Sequence, residues 1–174
     1  QYGYNYKELR KNLGIPDNVV QKVEDIFLRE IVKKNPPLYN GIIEVLKELR
    51  ALYKLFLITA NFKQEALQKL RKYDIEQYFD HVEGVEKTGK KFKKSEQIAT
   101  ILKKESIKPS GVIYIGDRNI DYDVAKEAGI EKIILVDYGW GFDRNHTLGI
   151  QKDSVTRPHQ LLDVIRKYGV GSND

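Results

Sequence analysis

The sequence predicts an α/β fold in which one parallel sheet is covered by helices on both faces. Three observations carry this reading. Short apolar runs without polar alternation occur at 54–60, 112–116 and 132–136, as in strands buried on both sides. Stretches with helical apolar spacing separate them, and strands alternating with helices give a parallel sheet. The 174 residues, 41% of them hydrophobic, suffice for one domain with a small accessory subdomain.

The elements follow in order. Asp17 reads as an N-cap, and Val19, Val20, Val23, Ile26, Phe27 and Ile31 recur at helical spacing until Pro36-Pro37 stops the helix. A second helix starts near Ile42, with Val45, Leu46 and Leu49 on the same face. The strand at 54–60 leads to a helix over 63–72, a short strand at 79–83 and a lysine-rich loop. A helix from Ser95 turns Ile98, Ile101 and Leu102 inward. The strand at 112–116 precedes a helix closed by Gly129, the strand at 132–136 follows, and a helix over 158–167 ends the pattern. Residues 1–36 hold the first helix, ahead of the strands, and residues 37–174 form a three-layer Rossmann-like core with helices on both faces of the sheet.

Composition narrows the function. Cys is absent, which removes disulfides, thiolate metal sites and cysteine nucleophiles together. No run of eighteen apolar residues exists, so no membrane span is expected, and without a secretory leader a cytoplasmic location is expected. The net charge of +5 permits an anionic ligand without demanding nucleic acid.

Ligands of open parallel sheets sit at the carboxyl ends of the strands. Strand 54–60 delivers Thr59, with Ala60 and Asn61 next, and strand 112–116 delivers Asp117 and, four residues on, Asp121. Between them lie Lys87, Lys90, Lys91, Lys93 and Lys94. A hydroxyl, two carboxylates and a lysine at one edge suit a phosphate with Mg²⁺, a hard cation that takes one or two protein carboxylates and keeps waters. The ordinary readings weigh against each residue alone. A threonine in a strand is usually just β-branched, Asp121 serves as a helix cap, and most of the five lysines belong to a solvated loop. An aspartate directly at a strand end, beside a cap that Asp121 already provides, tips the balance to a ligand role. His81, His146 and His159 read as scattered surface residues, and Trp140 as a packing or lid residue.

The order Leu-Ile-Thr59-Ala-Asn, then Lys, then Ile-Gly-Asp117-x-x-x-Asp121 followed by Ala128-Gly129 resembles the haloacid dehalogenase superfamily of phosphatases. The similarity runs from the Tyr39-Asn-Gly41 turn through Val136-Asp-Tyr-Gly139-Trp-Gly141 to the end. The resemblance implies that Thr59, Ala60, Asn61 and Lys91 bind phosphate and that Lys91 or Lys93 steadies the phosphoryl group. It also implies that Asp117 and Asp121 bind Mg²⁺. The family's Lys-Pro pair is replaced here by Lys91-Phe-Lys93-Lys94.

One departure is larger. The family's nucleophile lies in an Asp-x-Asp motif at the end of the first strand, and the single Asp-x-Asp of this sequence is Asp121-Tyr-Asp123, already inside the metal motif. The resemblance places that strand between the Thr59 and Asp117 strands, just before a small helical cap, and implies that residues 1–36 are part of such a cap. The expectation is a segment upstream of Gln1, or a second chain, filling a gap between two apolar strands, in keeping with a sequence that contains no Met. The leading function is a Mg²⁺-dependent phosphatase or phosphotransferase of a small phosphorylated metabolite, inactive as the 174-residue chain. The alternative is a catalytically inactive scaffold that binds phosphate or metal. Nucleic-acid binding ranks last, because the lysine loop offers Phe92 as its one aromatic residue for stacking.

Overall fold

The computed structural model describes residues 37–86, 92–139 and 155–169, together with Gly14, Pro16, Val19 and Lys22. By contacts the chain divides into two units, Gln1–Pro37 and Leu38–Asp174. In the first, Val19 and Lys22 are helical and exposed, and the remainder of the expected cap lies outside the described residues.

The second unit is α/β. Its described elements are α1 (Ile42–Leu52), β1 (Phe56–Phe62), α2 (Lys63–Lys72), β2 (His81–Val85), α3 (Lys94–Lys104), β3 (Ile113–Gly116), α4 (Asn119–Glu127), β4 (Lys132–Leu135) and α5 (Gln160–Lys167). Every paired strand is parallel: β1 lies on β2, and β3 lies on β4. No membrane-length apolar helix occurs among the described residues.

Strand β4 shows why helices cover both faces. Ile134, with Val136 just beyond, packs with Val45 and Leu49 of α1 and with Leu161, Val164 and Ile165 of α5. Ile133 and Leu135 point the other way, onto Ile98 and Leu102 of α3 and Ala125 of α4. Alternate residues of a strand face opposite sides, so one apolar run feeds two cores. Val136 extends the pairing by a bridge to Val155.

One reading needs correction. The first strand runs over Phe56–Phe62, two residues later than the apolar run at 54–60, so Thr59 sits inside the strand. Lys54 is drawn off instead into an ion pair with Glu105 (2.7 Å). Among the described residues β1 and β3 share no ladder, and the two strand pairs stand apart where the sequence places a gap between the two apolar strands. His81 is half-buried, its Nε2 2.8 Å from Glu105 and its ring stacked on Phe56, while His159 is exposed. His146 and Trp140 lie outside the described residues.

Candidate functional site

The site is built around one buried carboxylate. Asp121 occupies the third position of α4, and its side chain is 4% exposed. Its Oδ2 accepts from the backbone N–H groups of Asp117 (3.3 Å) and Arg118 (3.2 Å), closing the β3–α4 turn as the acid of a capping box does. Its Oδ1 accepts from Lys94 Nζ (2.7 Å) and from the Tyr114 hydroxyl (3.2 Å). Four donors on one carboxylate occupy its lone-pair sites. Burial, with the Asp121 charge beside it, pushes the Tyr114 phenol well above its ordinary value, so it remains a donor.

Glycine shapes both walls. A Cβ at Gly116 would lie 2.4 Å from Asp121 Cβ, and one at Gly139 would lie 2.0 Å from Asp117 Cβ. The loop after β4 therefore lies directly against Asp117. Tyr39 holds that loop by donating to the Tyr138 carbonyl (2.8 Å), with the two rings edge to face at 4.8 Å. The Tyr138 phenol is pushed up to about 12, chiefly by burial and secondarily by Tyr39.

At β1 the ladder to β2 is regular from Phe56 to Ile58 and irregular between Ile58 and Phe62. Thr59, Ala60 and Asn61 occupy that break, with Ala60 and Asn61 exposed. The Asn61 N–H donates to Thr59 Oγ1 (3.1 Å), and α2 begins two residues later at Lys63, whose ammonium pairs with Glu83 (3.1 Å). Ile58, next to Thr59, and Tyr114, the partner of Asp121, pack on one cluster that includes Ile98 and Leu102 of α3. One helix thus supports both strand ends and carries Lys94 at its first turn.

Most of the residues singled out from the sequence lie among the described ones. Asp117 and Asp121 come together, and Thr59, Ala60 and Asn61 lie together at the β1–α2 turn. Lys93 is ion-paired with Glu127 on the outer side of α4, and Lys91 lies outside the described residues. Among the described lysines of that stretch, the one that reaches Asp121 is Lys94, one of the five counted in the loop from the sequence. A signal for it existed. Lys94 stands four and seven residues before Ile98 and Ile101, on the inward stripe of α3, whereas Lys93 shares its face with Gln97 and Thr100. Tyr114 was also passed over, although period-two alternation puts it on the same strand face as Gly116.

The residues present suit a hard divalent cation in part. Asp117 supplies a carboxylate, and Asn119 Oδ1, two residues on, is a buried acceptor without a protein partner. No group of three or more His, Cys, Asp or Glu gathers among the described residues, so the protein ligands available there are few, as Mg²⁺ tolerates.

A family model described as haloacid dehalogenase-like hydrolase matches residues 1–135. The chain belongs to that family. Curated relatives include the tyrosine-protein kinase PtkA of Mycobacterium tuberculosis, 28% identical over 131 residues covering 75% of this chain and 44% of that protein. The phosphorylated carbohydrates phosphatase of Thermotoga maritima is 28% identical over 139 residues, covering 79% of this chain and 62% of that one. This haloacid dehalogenase-like chain therefore spans about half the length of the curated relatives it matches. Among solved structures, a haloacid dehalogenase-like hydrolase from Streptococcus pneumoniae matches at TM-score 0.65 and 26% identity, over 74% of this chain and 60% of that one. A Clostridium difficile structure shares the fold at TM-score 0.78 and 24% identity, over 94% and 79% of the two chains.

Proposed function

We propose that this chain is part of a Mg²⁺-dependent phosphoryl hydrolase of a small phosphorylated metabolite. The observation that carries the reading is the pair of half-buried Lys94 and buried Asp121 standing beside Asp117 at the end of β3. A lysine fixed by a carboxylate presents its remaining N–H groups in a set direction. Lys94 and the Thr59 hydroxyl would hold phosphate oxygens, with the backbone at Ala60 and Asn61 as further donors near the start of α2. Asp117, with Asn119 near it, would face Mg²⁺, which when bound offsets charge on the phosphoryl oxygens. Asp121 has its acceptor sites filled by protein donors, so it serves here as the positioning residue of Lys94 and not as a metal ligand.

The reaction needs a carboxylate nucleophile, and this reading takes it from polypeptide outside the 174 residues. Its oxygen forms a bond to phosphorus as the bond from phosphorus to the ester oxygen breaks, and that oxygen takes a proton from a second acid of the same outside segment. Water then attacks phosphorus, gives its proton back to that acid, and releases phosphate and the free carboxylate. The relatives named as a phosphatase and as a kinase both move phosphoryl groups, which supports that chemistry without choosing a substrate. One observation favours the scaffold alternative for the chain as it stands: Asp121-Tyr-Asp123 has its first acid buried in the Lys94 pair and its second exposed on α4.

The test assays an aryl phosphate with Mg²⁺ on the 174-residue chain and on a longer form carrying an Asp-x-Asp ahead of it. Metal-dependent turnover is expected from the longer form alone. In that form Lys94→Ala and Asp117→Asn should abolish it, and Lys93→Ala should not. Unchanged turnover in Lys94→Ala would remove the assignment.

A further inference from the structure

The peptide joining Tyr138 to Gly139 forms a wall against Asp117. A Cβ built on Gly139 would stand 2.0 Å from Asp117 Cβ and 2.6 Å from its Oδ2, so the Gly139 Cα, one bond away, already lies against that side chain. A peptide unit is planar, and its carbonyl, its N–H and its two Cα atoms move together. What fixes the Tyr138 carbonyl therefore fixes the Gly139 Cα. The N–H of this unit bonds loosely, to the Val136 carbonyl at 3.4 Å. Its carbonyl accepts from the Tyr39 hydroxyl at 2.8 Å, across 99 residues of sequence. Closer along the chain, the Val136 N–H donates to the Gly116 carbonyl (2.8 Å) and the Asp137 N–H to the Val155 carbonyl (2.8 Å), and the 138–139 peptide lies just beyond these bonds.

The donor itself stands on a fixed base. The Tyr39 carbonyl accepts from the N–H of Ile42, the first residue of α1 (3.1 Å), and Gly41 makes the turn between them at φ 81°, where a side chain would be strained. Helix α1 packs Val45 and Leu49 on Ile134 and Val136, the stretch that leads into the loop. Tyr39 is 42% exposed, so its hydroxyl bond and its edge-to-face contact with the Tyr138 ring hold it, rather than burial. We propose that Tyr39 is a positioning residue for Asp117: through the planar 138–139 peptide its hydroxyl holds the wall against which the Asp117 side chain rests. With that wall fixed, the carboxylate loses rotamers on one side and is preorganised for a ligand, which raises affinity by removing the cost of ordering it. That the ligand is Mg²⁺ rests on the proposed hydrolase reading; the contact with Asp117 does not.

The test sets Tyr39→Phe against Tyr168→Phe in the 174-residue chain. Each variant keeps its ring and loses one phenolic hydrogen bond to a backbone carbonyl, since Tyr168 donates to Ile133 on β4 (3.2 Å). A merely structural role for Tyr39 would give the same result in both. Without metal, NMR couplings across Asp117 χ1 should report one rotamer in the parent and an average of several in Tyr39→Phe, with Tyr168→Phe like the parent. In calorimetric titration with Mg²⁺, Tyr39→Phe should bind about fivefold more weakly than the parent, the worth of one neutral hydrogen bond, and Tyr168→Phe as tightly as the parent. An Asp117 rotamer unchanged in Tyr39→Phe would overturn the proposal, as would equal averaging in Tyr168→Phe. Equal Mg²⁺ affinity in Tyr39→Phe and a parent that binds the ion would overturn it as well. Rotamer averaging in Tyr39→Phe alone, with no Mg²⁺ binding by the parent, would keep Tyr39 as the positioning residue of Asp117 and remove the metal from the hydrolase reading.

Discussion

Ile115 and Ile134 are the same residue, directly opposite each other in the β3–β4 register. Ile134 is 0% exposed and Ile115 is 40% exposed. Both strands read as continuous apolar runs, and nothing in their composition separates them. The difference lies in their neighbours: β4 is flanked by β3 and by the Val136–Val155 bridge, whereas β3 has one paired side among the described residues. An apolar strand records what the sheet expects on both sides, and burial records what is there. The same contrast holds at β1, whose described residues are all half-buried or exposed.

The comparison can be broken most sharply at its buried member. Ile134→Ala should cost roughly 2–5 kcal/mol in chemical unfolding, as large-to-small changes in packed cores do. A smaller loss is expected at the carboxylate. Asp121→Ala should cost about 1–3 kcal/mol by leaving the Asp117 and Arg118 amides unpartnered, with Lys94 still partly solvated at 24% exposure. It should also free Lys94, which chemical labelling of the ammonium would detect as faster modification. Gly139→Ala should cost about 1–3 kcal/mol, because its new methyl would overlap Asp117, and thermal unfolding checks it. Ile115→Ala, the exposed partner, should cost less than about 1 kcal/mol. A loss there equal to that of Ile134→Ala would erase the contrast.

The mildest effect concerns the other end of the sheet. Glu105 accepts from Lys54 Nζ (2.7 Å) and lies 2.8 Å from His81 Nε2, and these hydrogen bonds, Lys54's first, hold its carboxyl down to about 2 from an ordinary 4.5. A depressed folded-state value means that the pair stabilises the fold above pH 4.5 and that this contribution fades as pH falls toward 2. Melting curves across that window should show the loss, and Glu105→Gln should flatten it.

Much of this was legible in the sequence. Apolar runs and helical spacing located every described strand and helix to within about two residues, the usual uncertainty of element ends. Asp117 and Asp121 stood out because a carboxylate directly after a buried strand has little structural reason to be there. The lysine did not, because Lys91, Lys93 and Lys94 are alike as letters and only the inward stripe of α3 distinguishes Lys94. Tyr114 was hidden for a related reason, since a tyrosine in a strand is ordinary until its hydroxyl is seen on Asp121. The break in the β1 ladder at 59–61 depends on β2, which the local sequence does not report.

The central claim is that the ends of β1, α3 and β3 form one phosphate-binding corner with Lys94 in it. The most direct measurement is a backbone and lysine NMR titration of the 174-residue chain with inorganic phosphate, with and without Mg²⁺. Shift changes are expected at Thr59, Ala60, Asn61, the Lys94 ammonium and Asp117 to Asn119, with Lys93 unmoved and the Lys94 change lost in Asp121→Asn. Changes centred on Lys93 and Glu127, or confined to the Lys54–Glu105 end of the sheet, would contradict the account.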